Sequence, residues 1–101
     1  MQTEIKILAA LAGEKRLAIL ELLKDPEKNF PPQIDGDLLN DGVCGVNIAA
    51  KLNIAQPTVS RHLKQLVDAR LLRATRIKQW TFYKRDEKGI REAKKRIRLA
   101  F

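Results

Sequence analysis

The sequence predicts a mainly α-helical domain carrying one small β-hairpin, in the order α-α-α-α-β-β-α. Three observations predict it. Apolar residues recur at helical spacing over residues 3–24, 46–69 and 87–100. Between the last two stretches, over 71–85, Thr, Ile, Trp, Phe and Tyr concentrate in two short runs, the composition of paired strands. The chain of 101 residues is long enough for one modest core and too short for two.

Residues 3–12 (TEIKILAALA) set Ile5, Leu8, Ala9, Leu11 and Ala12 on a helical repeat, and Gly13 ends the run. From Glu14 to Lys24 the pattern restarts with Leu17, Ile19, Leu20, Leu22 and Leu23. Being apolar around much of its girth, this segment is expected to be a buried central helix, stopped by Pro26. Residues 25–42 (DPEKNFPPQIDGDLLNDG) are rich in Pro, Gly, Asn and Asp and read as a long inserted loop. Phe30, Ile34, Leu38 and Leu39 imply that part of it folds back on the body.

A helix is expected from Val46 to Leu52, and another from Gln56 to Ala69. Asn53 between them tolerates the left-handed backbone of a tight inter-helix turn. Pro57 suits a first turn, where a backbone N–H has no helical partner. Val59, Leu63, Leu66 and Val67 form the inward stripe of the second helix, leaving Ser60, Arg61, Lys64 and Gln65 on its other faces. The hairpin follows, with its tip near Ile77, Lys78 and Gln79. A terminal helix over 87–100 carries a narrow stripe of Ile90, Ala93, Ile97 and Ala100 on a basic surface.

Two short helices at a tight turn, the second tipped with Thr58, Ser60, Arg61, His62 and Lys64, are how a protein presents hydrogen-bonding side chains to the DNA major groove. The charge supports this. Residues 1–69 hold 8 Lys and Arg against 9 Asp and Glu, whereas residues 70–101 hold 12 against 3. A basic segment of this kind suits a polyanion, because each neutralised phosphate releases counterions. Charge by itself fits DNA, RNA, an anionic membrane surface or a merely solvated helix. No run reaches the roughly 18 apolar residues of a membrane span, and the start lacks a signal-peptide shape. A cytoplasmic location is expected, and the single cysteine excludes an internal disulfide framework.

Helix, helix, turn, helix, two-stranded wing and helix is the order of a winged helix-turn-helix domain. The blocks LAGEKRLAILELL (11–23), AQPTVSRHLKQLVDARLL (55–72) and KQWTFYKR (78–85) resemble the bacterial ArsR/SmtB family of small dimeric repressors. That family shows an LA-x-x-x-RL-x-IL helix, an SQPTVS-x-HL-x-x-L recognition helix followed by AGL, and a W-x-Y-Y wing strand. The likeness covers most of the chain outside 25–42. It implies that Gln56, Thr58, Ser60, Arg61 and His62 face DNA, with Arg61 bonding a guanine edge and Thr58 and Ser60 holding phosphates. Lys64 adds a phosphate contact, and Arg73, Arg76 and Lys78 extend the track along the wing. Helices 3–12 and 87–100 are then dimerisation elements of a single domain, and the operator is an imperfect palindrome.

Plainer roles stand beside these. Thr58 suits a stiffened first turn, Arg61 an ion pair with Asp68, and His62 a packing or capping position. Trp80, Phe82 and Tyr83 suit either base stacking in an RNA binder or, as favoured here, packing on the helices beneath. Cys44 falls at the first position of the family's Cys-x-Cys metal site and Val46 at the second. The terminal helix has no His or Cys, so neither a metal nor a cofactor is expected. Cys44 remains a candidate redox thiol or a small half-buried hydrophobe.

The reading is therefore a homodimeric, DNA-binding transcriptional regulator acting as a repressor, with no small-molecule effector assigned. The rival is a winged-helix module binding RNA or protein through the same basic face. An enzyme is disfavoured, since one His and one Cys on the helix-turn-helix unit supply no nucleophile with an oriented base.

Overall fold

The computed structural model describes residues 1–101. Its elements are α1 (Gln2–Leu11), α2 (Glu14–Leu22), α3 (Pro26–Asn29), β1 (Val43–Cys44), α4 (Gly45–Leu52), α5 (Gln56–Asp68), β2 (Leu72–Ile77), β3 (Trp80–Arg85) and α6 (Glu87–Ala100). The four long N-terminal segments, the hairpin and the terminal helix lie where the sequence pattern puts them. None of the helices is long and apolar enough to cross a membrane.

One core holds these elements together. Ile7 and Ala10 of α1, Ile19 and Leu20 of α2, Ile48 and Ala49 of α4, and Val59, Leu63 and Leu66 of α5 are buried in it. Leu71 and Leu72 bring in the wing, and Ile90 and Ala93 bring in α6. No charged or polar side chain is fully buried, so hydrophobic burial dominates this interior. The central helix α2 departs from expectation in two respects. It ends at Leu22, and Leu17 is 50% exposed rather than enclosed. Three residues later, Leu20 takes the inward direction that Leu17 lacks.

The wing differs more. Expected as two strands, it belongs to a three-stranded antiparallel sheet in the order β1-β3-β2. Val43 pairs with Tyr83 and Cys44 with Phe82. The extra strand comes from the end of the inserted segment, whose two-residue pairing is too short to leave an alternating pattern. At the tip, Ile77 pairs with Trp80, so Lys78 and Gln79 alone make the turn. Lys78 supplies its positive φ of 56°. Arg76 donates from Nε to the Lys78 carbonyl at 3.1 Å, which helps hold a turn that lacks glycine.

The segment 25–42 is less a free loop than a strap. Asp25 caps the short α3 by accepting from the Lys28 N–H, and Phe30 is buried. Gln33 then pins the strap to the sheet and to α4. Its Nε2 donates to the Gly42 carbonyl at 3.0 Å, and its Oε1 accepts from the Cys44 N–H at 2.7 Å and from Asn47 Nδ2 at 3.4 Å. Gly36, at φ 77°, lies over the Phe82 ring so closely that a Cβ there would clash with it. Phe82 is only 1% exposed, yet it lies outside the main cluster of buried residues. The strap is what covers it.

The helix-turn-helix is built locally. Asn53 adopts φ 55° and ψ 46°, the left-handed cap that the sequence predicts. The N–H groups of Asn53 and Ile54 bond back to the Ala50 and Ala49 carbonyls, both at 3.2 Å. The chain thus turns from α4 into α5 without stranding its backbone donors. A second left-handed residue, Arg70 at φ 60°, stands after α5 where the resembled pattern has glycine.

Candidate nucleic-acid interface

Helix α5 divides sharply by side. Val59, Leu63 and Leu66 are buried and Val67 packs at the edge of the core, whereas Gln56, Pro57, Ser60, Arg61, Lys64 and Asp68 are exposed. Thr58, His62 and Gln65 are half-buried along one flank. The start of α5 has no side-chain cap, and Ala55 occupies the capping position. The Gln56 and Thr58 N–H groups therefore lack helical partners at the positive end of the helix dipole.

Each expected contact residue has a definite setting. Arg61 makes no side-chain hydrogen bond and no ion pair. The partner foreseen for it, Asp68, is instead taken by Lys64, with Nζ and Oδ2 2.9 Å apart. This exposed pair is worth little and yields readily to a phosphate. In the wing, Arg73, Arg76 and Lys78 are all exposed. Lys78 reaches Asp35 of the strap at 2.9 Å. Across the sheet Arg73 sits directly opposite Lys84, both exposed. Like charges facing each other across strands destabilise the sheet, and a polyanion lying over them removes that cost.

His62 is the exception among these residues. Its Nδ1 lies 3.0 Å from Nη1 of Arg16 in α2, so it turns toward the body rather than outward. Burial first, and then the neighbouring charges of Arg16, Arg61 and Lys15, hold its pKa below the ordinary value. Arg16 itself escapes a reading by periodicity, because a charged residue in the first turn of a helix reads as solvated. Its only trace was its place in the LAGEKRLAILELL block. Lys84 was missed for a related reason. The strand register that sets it against Arg73 is not legible in a run of six residues.

The aromatic residues form no stacking platform. Phe82 is buried beneath the strap, Tyr83 is packed against the core, and only Trp80, 36% exposed, reaches the surface near the tip. Cys44 is half-buried between Gln33 and the sheet. Burial, with Cys44 beside it, pushes the Tyr83 hydroxyl above its usual pKa. The chain contains no second thiol, and no three His, Cys, Asp or Glu residues gather where they could hold a metal ion.

Comparison with known proteins agrees with this geometry. A family model described as "Bacterial regulatory protein, arsR family" matches residues 38–74, which contain β1, α4 and α5 and reach into the first half of β2. Over 86 residues the chain is 43% identical to an uncharacterized HTH-type transcriptional regulator, YbzH, of Bacillus subtilis (strain 168), covering 85% of this chain and 86% of that one. Among solved structures, HlyU from Vibrio cholerae N16961 superposes with a TM-score of 0.64 at 23% identity, over 98% of this chain and 92% of that one. NolR from Sinorhizobium fredii gives 0.62 at 21% identity, over 98% and 85%. The AntR antimony-specific transcriptional repressor gives 0.60 at 24%, over 94% and 74%. The solved structures establish the winged helix-turn-helix fold. With a relative this similar along nearly its whole length, the chain belongs to the arsR family of bacterial regulatory proteins: it is a transcriptional regulator with a DNA-binding helix-turn-helix, and not an enzyme.

Proposed function

We propose that the protein is a repressor that grips an imperfect palindromic operator as a homodimer. Helix α5 enters the major groove and the wing follows the backbone. The observation that carries this reading is the exposed edge of α5. Arg61 stands there without a partner, flanked by Ser60, Lys64 and the uncapped helix start at Gln56 and Thr58. Arg61 reads a base edge, where a guanidinium bonds guanine in bidentate fashion. Gln56, Thr58, Ser60 and Lys64 hold phosphates or neighbouring base edges, and Arg73, Arg76, Lys78 and Lys84 continue the contact along the wing.

Pairing of two copies rests on a separate feature. On α1, Ile5 (55%) and Leu8 (41%) are exposed on the side away from the buried Ile7 and Ala10. Between α1, α2 and α6 lies an apolar groove of about 550 Å³, whose lining includes Leu11, Leu17 and Ile97. Such surfaces are buried most economically against a symmetry mate. Regulators of this family generally act as dimers. Two reading helices about one DNA turn apart match a palindrome. The repressor role draws on the family resemblance and on AntR, whose name calls it a repressor.

The test begins with the DNA that the purified protein retains. That DNA is sequenced and titrated as duplex over a range of salt. Inverted half-sites, a steep fall of log K with log salt, and rejection of a scrambled duplex are expected. A reporter driven by the retained promoter should fall silent when the protein is supplied. Equal binding to scrambled duplex, or to any single strand, refutes the reading.

A further inference from the structure

The guanidinium of Arg16 lies where three helices meet. Its Nε donates to the Ala10 carbonyl at 2.7 Å, and its Nη2 to the carbonyls of Ala9 and Ala12 at 3.1 and 3.2 Å. These carbonyls belong to the last turn of α1 and the residue after it, where an α-helix leaves its acceptors unpaired and a cation is favoured. Nη1 is left for His62 of α5, at 3.0 Å. Arginine has donors only, so Nδ1 of His62 must accept. The imidazole is then neutral, with its proton on Nε2.

We propose that Arg16 and His62 are positioning residues for DNA reading: the pair ties α5 to the C-terminal end of α1 and sets the rotation of α5 about its own axis. The inference rests on α5 being the DNA-reading helix. On its inward side α5 is held by Val59, Leu63 and Leu66. Apolar packing of that kind fixes which face of α5 turns inward but, being non-directional, leaves the fine rotation to directional contacts. The bond at His62 is directional and lies one residue beyond Arg61. Whatever moves the end of α1 is thereby passed to the reading edge. Since α1 also carries the exposed Ile5 and Leu8, the link joins the proposed subunit interface to the groove-facing side chains.

Protonation breaks the link, because imidazolium has no lone pair to offer and faces only cations. Those cations are Arg16 and Lys15 from α2 and Arg61 from its own helix, while the last turn of α1 presents only Ala9, Ala10 and Leu11. No carboxylate answers them.

The experiment measures binding of the full chain to a duplex selected from random sequence by the wild-type protein, from about pH 8 to about pH 5.5. His62→Asn places an amide oxygen where Nδ1 accepts and cannot titrate. His62→Gln carries its amide too far out to meet Arg16. Near pH 8 the Asn variant should bind within about threefold of wild type and the Gln variant about tenfold more weakly, the worth of one charge-assisted hydrogen bond. On acidification wild type should weaken relative to the Asn variant. Circular dichroism checks that each variant is folded; if the Gln variant is not, the wild-type and Asn pH profiles decide alone. Equal affinity of the Asn and Gln variants overturns the proposal. So does wild-type binding that strengthens relative to Asn at low pH, the mark of His62 as a direct phosphate contact. If wild type selects no duplex at all, the reading of α5 has failed rather than the role of the pair.

Discussion

Arg61 and His62 are adjacent in sequence and differ in nearly everything else. Arg61 is exposed and unpaired, while His62 is drawn in to Arg16. Arg61→Ala is expected to cost about 1–3 kcal/mol of operator binding and to blur preference at one base pair, as measured by competition among single-site operator variants. Lys78→Ala should instead weaken all duplexes alike and reduce the salt slope by about one contact. His62 also sets a pH dependence of stability. It is the only histidine, and its folded pKa lies below its ordinary 6.5. The unfolded chain therefore takes up the proton first, so stability is complete above pH 6.5 and declines as pH falls through the lowered value. Glu87 contributes in a lower window. Its hydrogen bond from Arg85 lowers its pKa from 4.5, so its contribution is present above that value and is lost on further acidification. Urea midpoints should thus begin to fall below about pH 6.5 in wild type, and His62→Asn should remove that early decline. A midpoint that stays flat down to the carboxylate range would contradict this assignment.

Among the elements, the five long helices are legible, the four-residue α3 inside 25–42 is not, and the sheet is only partly so. Val59, Leu63 and Leu66 repeat at three and four residues, and α5 follows from that spacing alone. Strand β1 is two residues long and is defined by its partner, β3. The strap was legible as irregular but not as a cover, because its contact with Phe82 depends on backbone geometry at Gly36. Phe82→Ala is expected to cost about 3–5 kcal/mol, the usual toll for removing a buried aromatic ring. Beyond that loss, the strap should loosen while α5 stays ordered. Hydrogen exchange should then rise at Cys44, whose N–H is held by Gln33, before it rises at Leu63 or Leu66. Uniform exchange across both regions would show that the strap has no independent role.

For the whole molecule, the decisive quantity is the apolar surface that one chain leaves open. Ile5 and Leu8 lie outside the core, so replacing them leaves the domain's own packing intact. Leu8→Asp, alone or with Ile5→Asp, is expected to yield a folded monomer by size exclusion. Its operator affinity should fall roughly 100-fold or more, because the second half-site no longer binds intramolecularly. A variant that remains dimeric would place the subunit interface elsewhere. The charge asymmetry belongs to this scale too. The basic last third of the chain contains both wing strands and α6, while the net charge of residues 1–69 is slightly negative. On the proposed reading, electrostatic attraction to DNA would reside largely in the wing and α6, and base recognition in α5.

Taken alone, the order of amino acids determined what depends on near neighbours. Apart from α1, where Ile7 and Ala10 are buried rather than the stripe through Ile5, Leu8 and Ala9, it set the long helices, the inward stripe of α5, the left-handed turn at Asn53, and the exposed edge of α5 with Arg61 on it. These are properties of residues three or four apart, whose geometry follows from backbone periodicity. Only the tertiary structure decided that His62 faces inward, that Lys64 rather than Arg61 takes Asp68, and that the strap covers Phe82 and supplies a third strand. Arg16 and His62 are 46 positions apart, and no spacing rule links them. They meet because burying the stripes of α1, α2 and α5 in one core leaves the last carbonyls of α1 open to a single long cation, whose remaining donor faces the imidazole.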